Sequence, residues 1–145
     1  MILKNSMRKY LRLILVGMAV AAMALAGTGC TAKAKKAYHL RRADKFYAAT
    51  QYDQAEIEYI NALRNAPLNS HAIGRLGLIY YNEGRVQHAA PYLLKATELD
   101  TNNLEYRLSL GYVSSVLGRS KDARDSANYV LDHQPLNIEA PLLLA

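Results

Sequence analysis

Residues 70–103 read SHAIGRLGLIYYNEGRVQHAAPYLLKATELDTNN, with apolar side chains at spacings of three and four on both sides of a glycine. This is the pattern of two amphipathic helices joined by a turn. The pattern recurs once before this stretch and once after it, always at the same spacing. A fixed period of this length indicates stacked helix-turn-helix units rather than one globular core. The matching columns are Ala55, Ala89 and Ala123; Gly84 and Gly118; Gly77 and Gly111; and Asn69, Asn103 and Asn137.

The period also predicts which side chains face inward. Positions that face the interior recur at spacings of three and four and hold mostly small or apolar residues. Pro67 and Pro135 end the second helix of their units, because proline cannot continue a helix. The asparagines that follow are good N-caps for the next helix. The predicted inner face comprises Ala43, Phe46, Tyr52, Ala55, Tyr59 and Ala62; Ile73, Leu76, Gly77, Tyr80, Val86, Ala89, Leu93 and Ala96; and Leu110, Gly111, Ser114, Ala123, Ala127 and Val130.

The spacing of Leu76, Gly77 and Tyr80, followed by Gly84 and Ala89, resembles the tetratricopeptide repeat. The third unit departs from that pattern at Arg107 and Ser114, where larger apolar groups are usual. The resemblance implies an all-α fold. It would be a right-handed α-solenoid with about three complete units, after an N-terminal signal or anchor helix. We therefore divide the chain into a signal or anchor (1–29), a basic linker (30–35), three repeats (36–69, 70–103, 104–137) and the start of a truncated fourth repeat (138–145).

That last segment has apolar residues at Ile138, Leu142, Leu143 and Leu144. A terminal helix of a repeat array is expected to present a polar outer face. The sequence therefore favours a chain that is the front part of a longer array, or a truncated reading of one.

Residues 1–30 read MILKNSMRKYLRLILVGMAVAAMALAGTGC. A positive start, an apolar run and small residues follow one another, which is typical of a secretory signal. An uncleaved signal-anchor is the alternative, because the apolar run would only just cross a bilayer core.

Cys30 is the only cysteine, so an internal disulfide is excluded. The segment LAGTGC resembles the lipobox of bacterial lipoproteins, except that Gly27 stands where an aliphatic residue is usual. The resemblance implies that Cys30 is lipidated, which would give stable attachment with two or more acyl chains. With Thr31 after the cysteine, it also implies a periplasm-facing protein on the outer membrane. The alternative is an inner-membrane signal-anchor.

The net charge of +6 comes mostly from the N-terminal end. Four of the 18 Lys and Arg residues precede the apolar run and none of the 12 acids does, so 14 bases face 12 acids afterwards. Neither a binding motif nor a basic stripe is present, so we expect no nucleic-acid binding. The four histidines are far apart and form no metal-binding or catalytic motif. The sequence therefore predicts no enzyme activity, no metal and no cofactor.

The resemblance implies a concave face, lined by the first helices of successive units, that binds a protein or peptide partner. Tyr47 and Tyr81 are one repeat period apart, so we expect them to stack on adjacent first helices. Tyrosine suits such a face, since its ring is apolar and its tip is polar. By position, the candidate partner-binding residues are Leu40, Asp44, Tyr47, His71, Leu78, Tyr81, Asn82, Leu108 and Tyr112.

One tetratricopeptide subtype, the chaperone-tail clamp, holds a terminal carboxylate with basic and amide side chains. Of the matching places here only Arg75 suits; the others hold Leu40, Asp44, Glu105 and Ser109. A lipobox followed by repeats instead resembles bacterial tetratricopeptide lipoproteins of envelope assembly, including those linked to exopolysaccharide export and PEP-CTERM sorting. The resemblance implies a membrane-tethered scaffold without catalytic activity. The alternatives are a pilotin-like lipoprotein that assembles a secretin or pilus pore, and the N-terminal repeat part of a longer enzyme.

Overall fold

The computed structural model describes residues 31–144, and every regular element in that range is helical. Contacts divide the chain into two units, Met1–Lys35 and Lys36–Ala145. The all-α prediction is confirmed. The predicted signal, the lipobox and Cys30 lie outside the described residues. The helices are α1 (31–48), α2 (Tyr52–Asn65), α3 (Ser70–Asn82), α4 (Val86–Leu99), α5 (Leu104–Val116) and α6 (Ser120–His133), followed by a 3-10 helix (Ala140–Leu143).

The helices pack in pairs, and the pairs stack. α3 packs on α4 and α5 on α6 within units, while α2 meets α3 and α4 meets α5 between units. α3 also contacts α5, so the first helices of neighbouring units lie side by side along one face of the stack. The tetratricopeptide resemblance predicts that this face is the concave side of the stack. Within residues 31–144, no helix has both the length and the apolarity needed to cross a bilayer.

Each first helix ends in the same turn. The Gly84 amide donates to the Tyr81 carbonyl and the Arg85 amide to the Tyr80 carbonyl, which is the hydrogen-bond pattern of a Schellman motif. The amides of residues 118–119 and 50–51 make the equivalent bonds. Such an end requires a left-handed residue, and Gly84 and Gly118 have φ of 71° and 72°. Thr50 takes this place in the first unit, with φ of 56°.

Each unit after the first begins with an asparagine cap. The side-chain oxygen of Asn69 accepts from the Ala72 amide, that of Asn103 from the Tyr106 amide and that of Asn137 from the Ala140 amide. The three capped residues are all buried. The cap therefore fixes where each helix starts and also sets a core residue in place.

The predicted inner face is buried or half-buried throughout. Small residues allow close approach: a side chain at Gly77 would lie 2.8 Å from Leu93 Cγ. The period did not reveal Tyr106, of which 2% is exposed. Its ring fills the space beside Gly74, where a Cβ would lie 2.2 Å from the ring.

Two departures in the third unit are accommodated by its neighbours. Arg107 lies with its guanidinium 4.5 Å from the centre of the Tyr129 ring. The Tyr129 hydroxyl donates to the Thr101 carbonyl at 2.9 Å. Ser114 is buried, with 3% of its surface exposed. A cation stacked on an aromatic ring thus takes the place of the usual apolar contact.

The segment after Asn137 forms a 3-10 helix, where the sequence indicated the start of a further α-helical unit. Ala140 is fully buried, and Leu143 packs over Gly111. Ile138 is 84% exposed. The segment therefore packs two of its apolar side chains against α5 and α6.

Candidate functional site

The candidate site lies on the first helices, α1, α3 and α5. On α1, the Oδ1 atom of Asp44 accepts a hydrogen bond from the Tyr59 hydroxyl at 2.7 Å. The same oxygen lies 2.6 Å from His71 Nε2 on the next first helix. Burial, and then the Asp44 hydrogen bond, raise the pKa of Tyr59 well above its usual range. The phenol therefore stays protonated and remains a donor to the carboxylate.

A second polar contact joins the three first helices. The Arg75 guanidinium on α3 lies 4.6 Å from the centre of the Tyr47 ring on α1, and 3.6 Å from a carboxylate oxygen of Glu105 on α5. Burial raises the pKa of the Tyr47 phenol, although Arg75 acts in the opposite direction. Arg75 thus holds neighbouring units together through one ring contact and one ion pair.

Next to these contacts lies a surface that we call the tyrosine face, made of Tyr47, Tyr52, Tyr81, Asn82 and Tyr112. The Tyr47 and Tyr52 ring centres are 5.7 Å apart and tilted at 50°. The Asn82 amide donates to the Tyr52 hydroxyl at 3.2 Å. The Tyr112 hydroxyl donates to the Glu139 carbonyl at 3.3 Å. All five side chains are exposed or half-buried.

The ring that stacks on Tyr81 is that of Tyr112. The two centres are 6.4 Å apart and the planes differ by 19°. The expected stacking of Tyr47 on Tyr81 gives way to a different arrangement, because the ring of Tyr47 lies against Tyr52 and under Arg75. Tyr112 follows Tyr81 at slightly less than one repeat period. A side chain one helical turn away therefore reaches the neighbour better than the equivalent repeat position does.

Three of the candidate residues are packed against apolar neighbours rather than projecting from the surface. Leu78 is only 4% exposed, so it belongs to the core and its place in the candidate binding set is corrected. Asp44 and Tyr112, which hold the same repeat position in the other two units, reach the surface. Leu40 and Leu108 are half-buried against the first and second apolar clusters. The structure brings together Asp44 with His71, and Tyr81 with Tyr112.

Sequence reasoning misassigns Tyr52 of the tyrosine face and misses the role of Glu105, which borders it. Helical spacing predicts an inward-facing Tyr52, yet its hydroxyl meets Asn82 at the surface. Glu105 does not suit a carboxylate clamp, but it pairs with Arg75. Opposite charges at neighbouring positions of adjacent first helices are the signal that could have indicated that pair.

Within residues 31–144, no three histidine, cysteine or acidic side chains gather in a way that could hold a metal ion. Asp44, His71, Arg75 and Glu105, which border the tyrosine face, are paired with one another. What the face offers to a partner is aromatic area, hydroxyl groups and the amide of Asn82.

No family model matches the sequence. Human protein O-mannosyl-transferase TMTC1 is 32% identical over 91 residues, which is 63% of this chain and 10% of that protein. Human tetratricopeptide repeat protein 34 is 33% identical over 95 residues, 66% of this chain and 17% of that protein. The chain thus spans less than a fifth of the length of either curated relative.

Solved structures share the fold. The Arabidopsis OM64 TPR domain has a TM-score of 0.69 at 19% identity, covering 78% of this chain and 93% of that domain. The first TPR domain of Spaghetti (RPAP3), bound to the HSP90 peptide SRMEEVD, has a TM-score of 0.69 at 20% identity, with 76% and 87% covered. Thermobaculum terrenum O-GlcNAc transferase has a TM-score of 0.66 at 27% identity, with 75% and 21% covered.

Proposed function

Because this chain folds as a stack of tetratricopeptide repeats, we propose that it is a non-catalytic scaffold that binds a protein partner on its concave side. The fold is typical of protein-interaction scaffolds, and the similar domain of Spaghetti binds a peptide. The observation that carries the proposal is the tyrosine face. Its Tyr81 and Tyr112 rings stay partly exposed, whereas Tyr59 and Tyr106 are buried in the core. Partly exposed aromatic rings are typical of binding surfaces.

The partner would differ from the acidic HSP90 peptide that Spaghetti binds. Here Arg75 is already paired with Glu105, and Asp44 places a negative charge on the same side. A terminal carboxylate would meet that charge while the nearby cation is already engaged. We therefore propose a role other than that of a chaperone adaptor.

Photo-crosslinking tests the binding proposal directly. A benzoylphenylalanine in place of Tyr81 should capture one discrete protein partner in the native host. The same group in place of Tyr38, a tyrosine of α1 that is 48% exposed, should not. Equal capture at both positions, or capture at neither, would contradict the proposal.

We further propose that the scaffold is tethered to the bacterial envelope through a lipid on Cys30, facing the periplasm, and serves envelope assembly or export. The lipobox-like segment and the signal pattern support this, and both precede the described residues. Mass spectrometry of the mature N-terminus should find a lipid-modified Cys30. Cys30→Ser should move the protein out of the outer-membrane fraction. An intact Met1 would contradict the lipid anchor and would leave the inner-membrane signal-anchor as the alternative.

A second candidate, the repeat part of a longer enzyme, is favoured by two of the similar proteins. Both are transferases, and the matched part is 10% of one and 21% of the other. Sequencing the gene beyond codon 145 decides between the two. A transferase domain in the same reading frame would replace the scaffold proposal.

A further inference from the structure

The charged side chains that border the tyrosine face are already paired, so they offer few binding partners to a charged ligand. Asp44 is engaged by Tyr59 and His71, and Arg75 by Glu105 and the Tyr47 ring. These pairings weaken the attraction that Asp44 and Arg75 can offer to a charged ligand. The arrangement therefore selects for a segment that is neutral where it touches the face.

The polar atoms of the face are suited to donate hydrogen bonds. The Tyr52 hydroxyl accepts from the Asn82 amide, which leaves its own proton free to point outward. The second amide hydrogen of Asn82 is also available beyond the one that meets Tyr52. A matching ligand is one that presents carbonyl oxygens along its length.

The rings supply the other half of the recognition. Tyr81 and Tyr112 lie nearly parallel, 6.4 Å apart, on neighbouring first helices. A polyproline II helix rises about 3.1 Å per residue, so two of its residues span about 6 Å. Because such a helix has three residues per turn, its same side recurs only about every 9 Å, so both rings would contact residues within a single turn of the ligand.

We propose that the ligand of the tyrosine face is a proline-rich segment in the polyproline II conformation. Such a segment lacks most backbone donors, exposes its carbonyls and carries apolar pyrrolidine rings, which is what this face complements. Packed helices lie about 8–10 Å apart, so the distance from α1 to α5 accommodates about six residues of the ligand. The inference rests on the proposed function, and it names the class of peptide that the same site takes.

The test measures binding of a fluorescein-labelled decaproline to the full chain by fluorescence anisotropy. A glycine-serine decamer with the same label is the reference, since it is flexible and offers no rings. Decaproline should bind at least about tenfold tighter, because its conformation is already formed. Equal affinity for the two peptides would overturn the inference.

Variants locate the binding. Y81A/Y112A should weaken decaproline binding by about tenfold or more, because both stacking rings are lost. Tyr38→Ala removes a tyrosine that helical geometry sets on the side of α1 opposite Tyr47, and it should change nothing. Tyr52→Phe and Asn82→Ala keep the stacked rings and should each weaken binding a few-fold through the lost donors. These two variants decide the matter if circular dichroism shows that Y81A/Y112A has lost helicity.

Other outcomes separate this inference from the proposed function. If a neutral glucan hexasaccharide binds tighter than decaproline and depends on Tyr81 and Tyr112, the ligand is a sugar chain and the inference is wrong. If decaproline does not bind but crosslinking at position 81 captures a protein, the ligand class is wrong and the scaffold stands. If decaproline does not bind and position 81 captures nothing, both fall.

Discussion

At position 50 the chain carries threonine in the left-handed conformation that Gly84 and Gly118 adopt in the following units. The hydrogen bonds of the three turns are the same, so the turn geometry does not depend on the residue. An L-residue in this conformation costs about 1–2 kcal/mol, and a branched side chain fits it poorly. The first unit therefore carries strain that the other two lack.

Thr50→Gly should raise the free energy of unfolding by about 0.5–1 kcal/mol. The gain is smaller than the strain, because glycine also adds freedom to the unfolded chain. Urea denaturation measures it. Gly118→Thr is the matched reverse change and should lower the free energy of unfolding by about 1–2 kcal/mol. A loss on Thr50→Gly would mean that the hydroxyl bond to the Ala49 carbonyl outweighs the strain.

The stability of the fold should fall in alkaline solution. Burial raises the pKa of Tyr106 to about 12, and burial together with a carboxylate partner also raises the pKa of Tyr59 and of Tyr80. Below pH 10 the native and unfolded states both hold these protons. Between about pH 10 and 12 the unfolded state releases them first, so each such tyrosine costs about 1.4 kcal/mol of stability per pH unit.

Urea denaturation at pH 9 and pH 11 should show this loss. In Tyr106→Phe the loss of unfolding free energy between pH 9 and pH 11 should be smaller by about the contribution of one tyrosine, because phenylalanine has no proton to release. Tyr38→Phe is the exposed control. Identical losses in the wild type and in Tyr106→Phe would contradict the assignment.

At the scale of the helix, the asparagine caps decide where each unit begins. Asn69→Ala and Asn103→Ala should each lower the free energy of unfolding by about 1 kcal/mol, because each removes the acceptor of a first-turn amide. Asn128→Ala, at an exposed position on α6, should change it little. A loss of the same size at position 128 would show that the caps are not the cause.

Asn137→Ala should act locally. Its side chain accepts from the amides of Glu139 and Ala140, which begin the 3-10 helix. We expect faster hydrogen exchange at residues 139–143 with little change in α3 and α4. Faster exchange throughout the stack would contradict a local role.

The helices could be predicted because their signals are local. Apolar spacing, turn glycines and capping asparagines report backbone geometry, which every unit shares. Thr50 could not be predicted as a turn residue because it adopts the left-handed conformation that glycine adopts in the other units, and threonine rarely does so. The tyrosine face was only partly predicted, since ring partners depend on side-chain direction as well as on the period. Tyr81 meets Tyr112 and Leu78 is buried for that reason.

For the whole molecule, stability should follow the order of the units. Each unit contacts only its neighbours, so a change in the middle unit affects both sides. Leu76→Ala should cost about 2–5 kcal/mol and speed hydrogen exchange in all three units. Val130→Ala should speed it chiefly in α6 and in residues 140–143, whose Ala140 packs with Val130. Indistinguishable exchange maps would mean that the stack opens as one body.

Tyr106 beside Gly74 has one more consequence. The repeat position of Gly74 holds leucine in the units before and after it, at Leu40 and Leu108. The repeat position of Tyr106 holds alanine on both sides, at Ala72 and Ala140. Leu40 and Ala72 share one apolar cluster, and Leu108 and Ala140 share the other. Large and small side chains thus exchange sides at successive junctions. A shuffled array would set leucine against tyrosine or glycine against alanine, giving a clash or a void. The sizes of these contact residues therefore favour one order of the units. A duplicated or exchanged unit would be tolerated only where a large side chain still meets a small one.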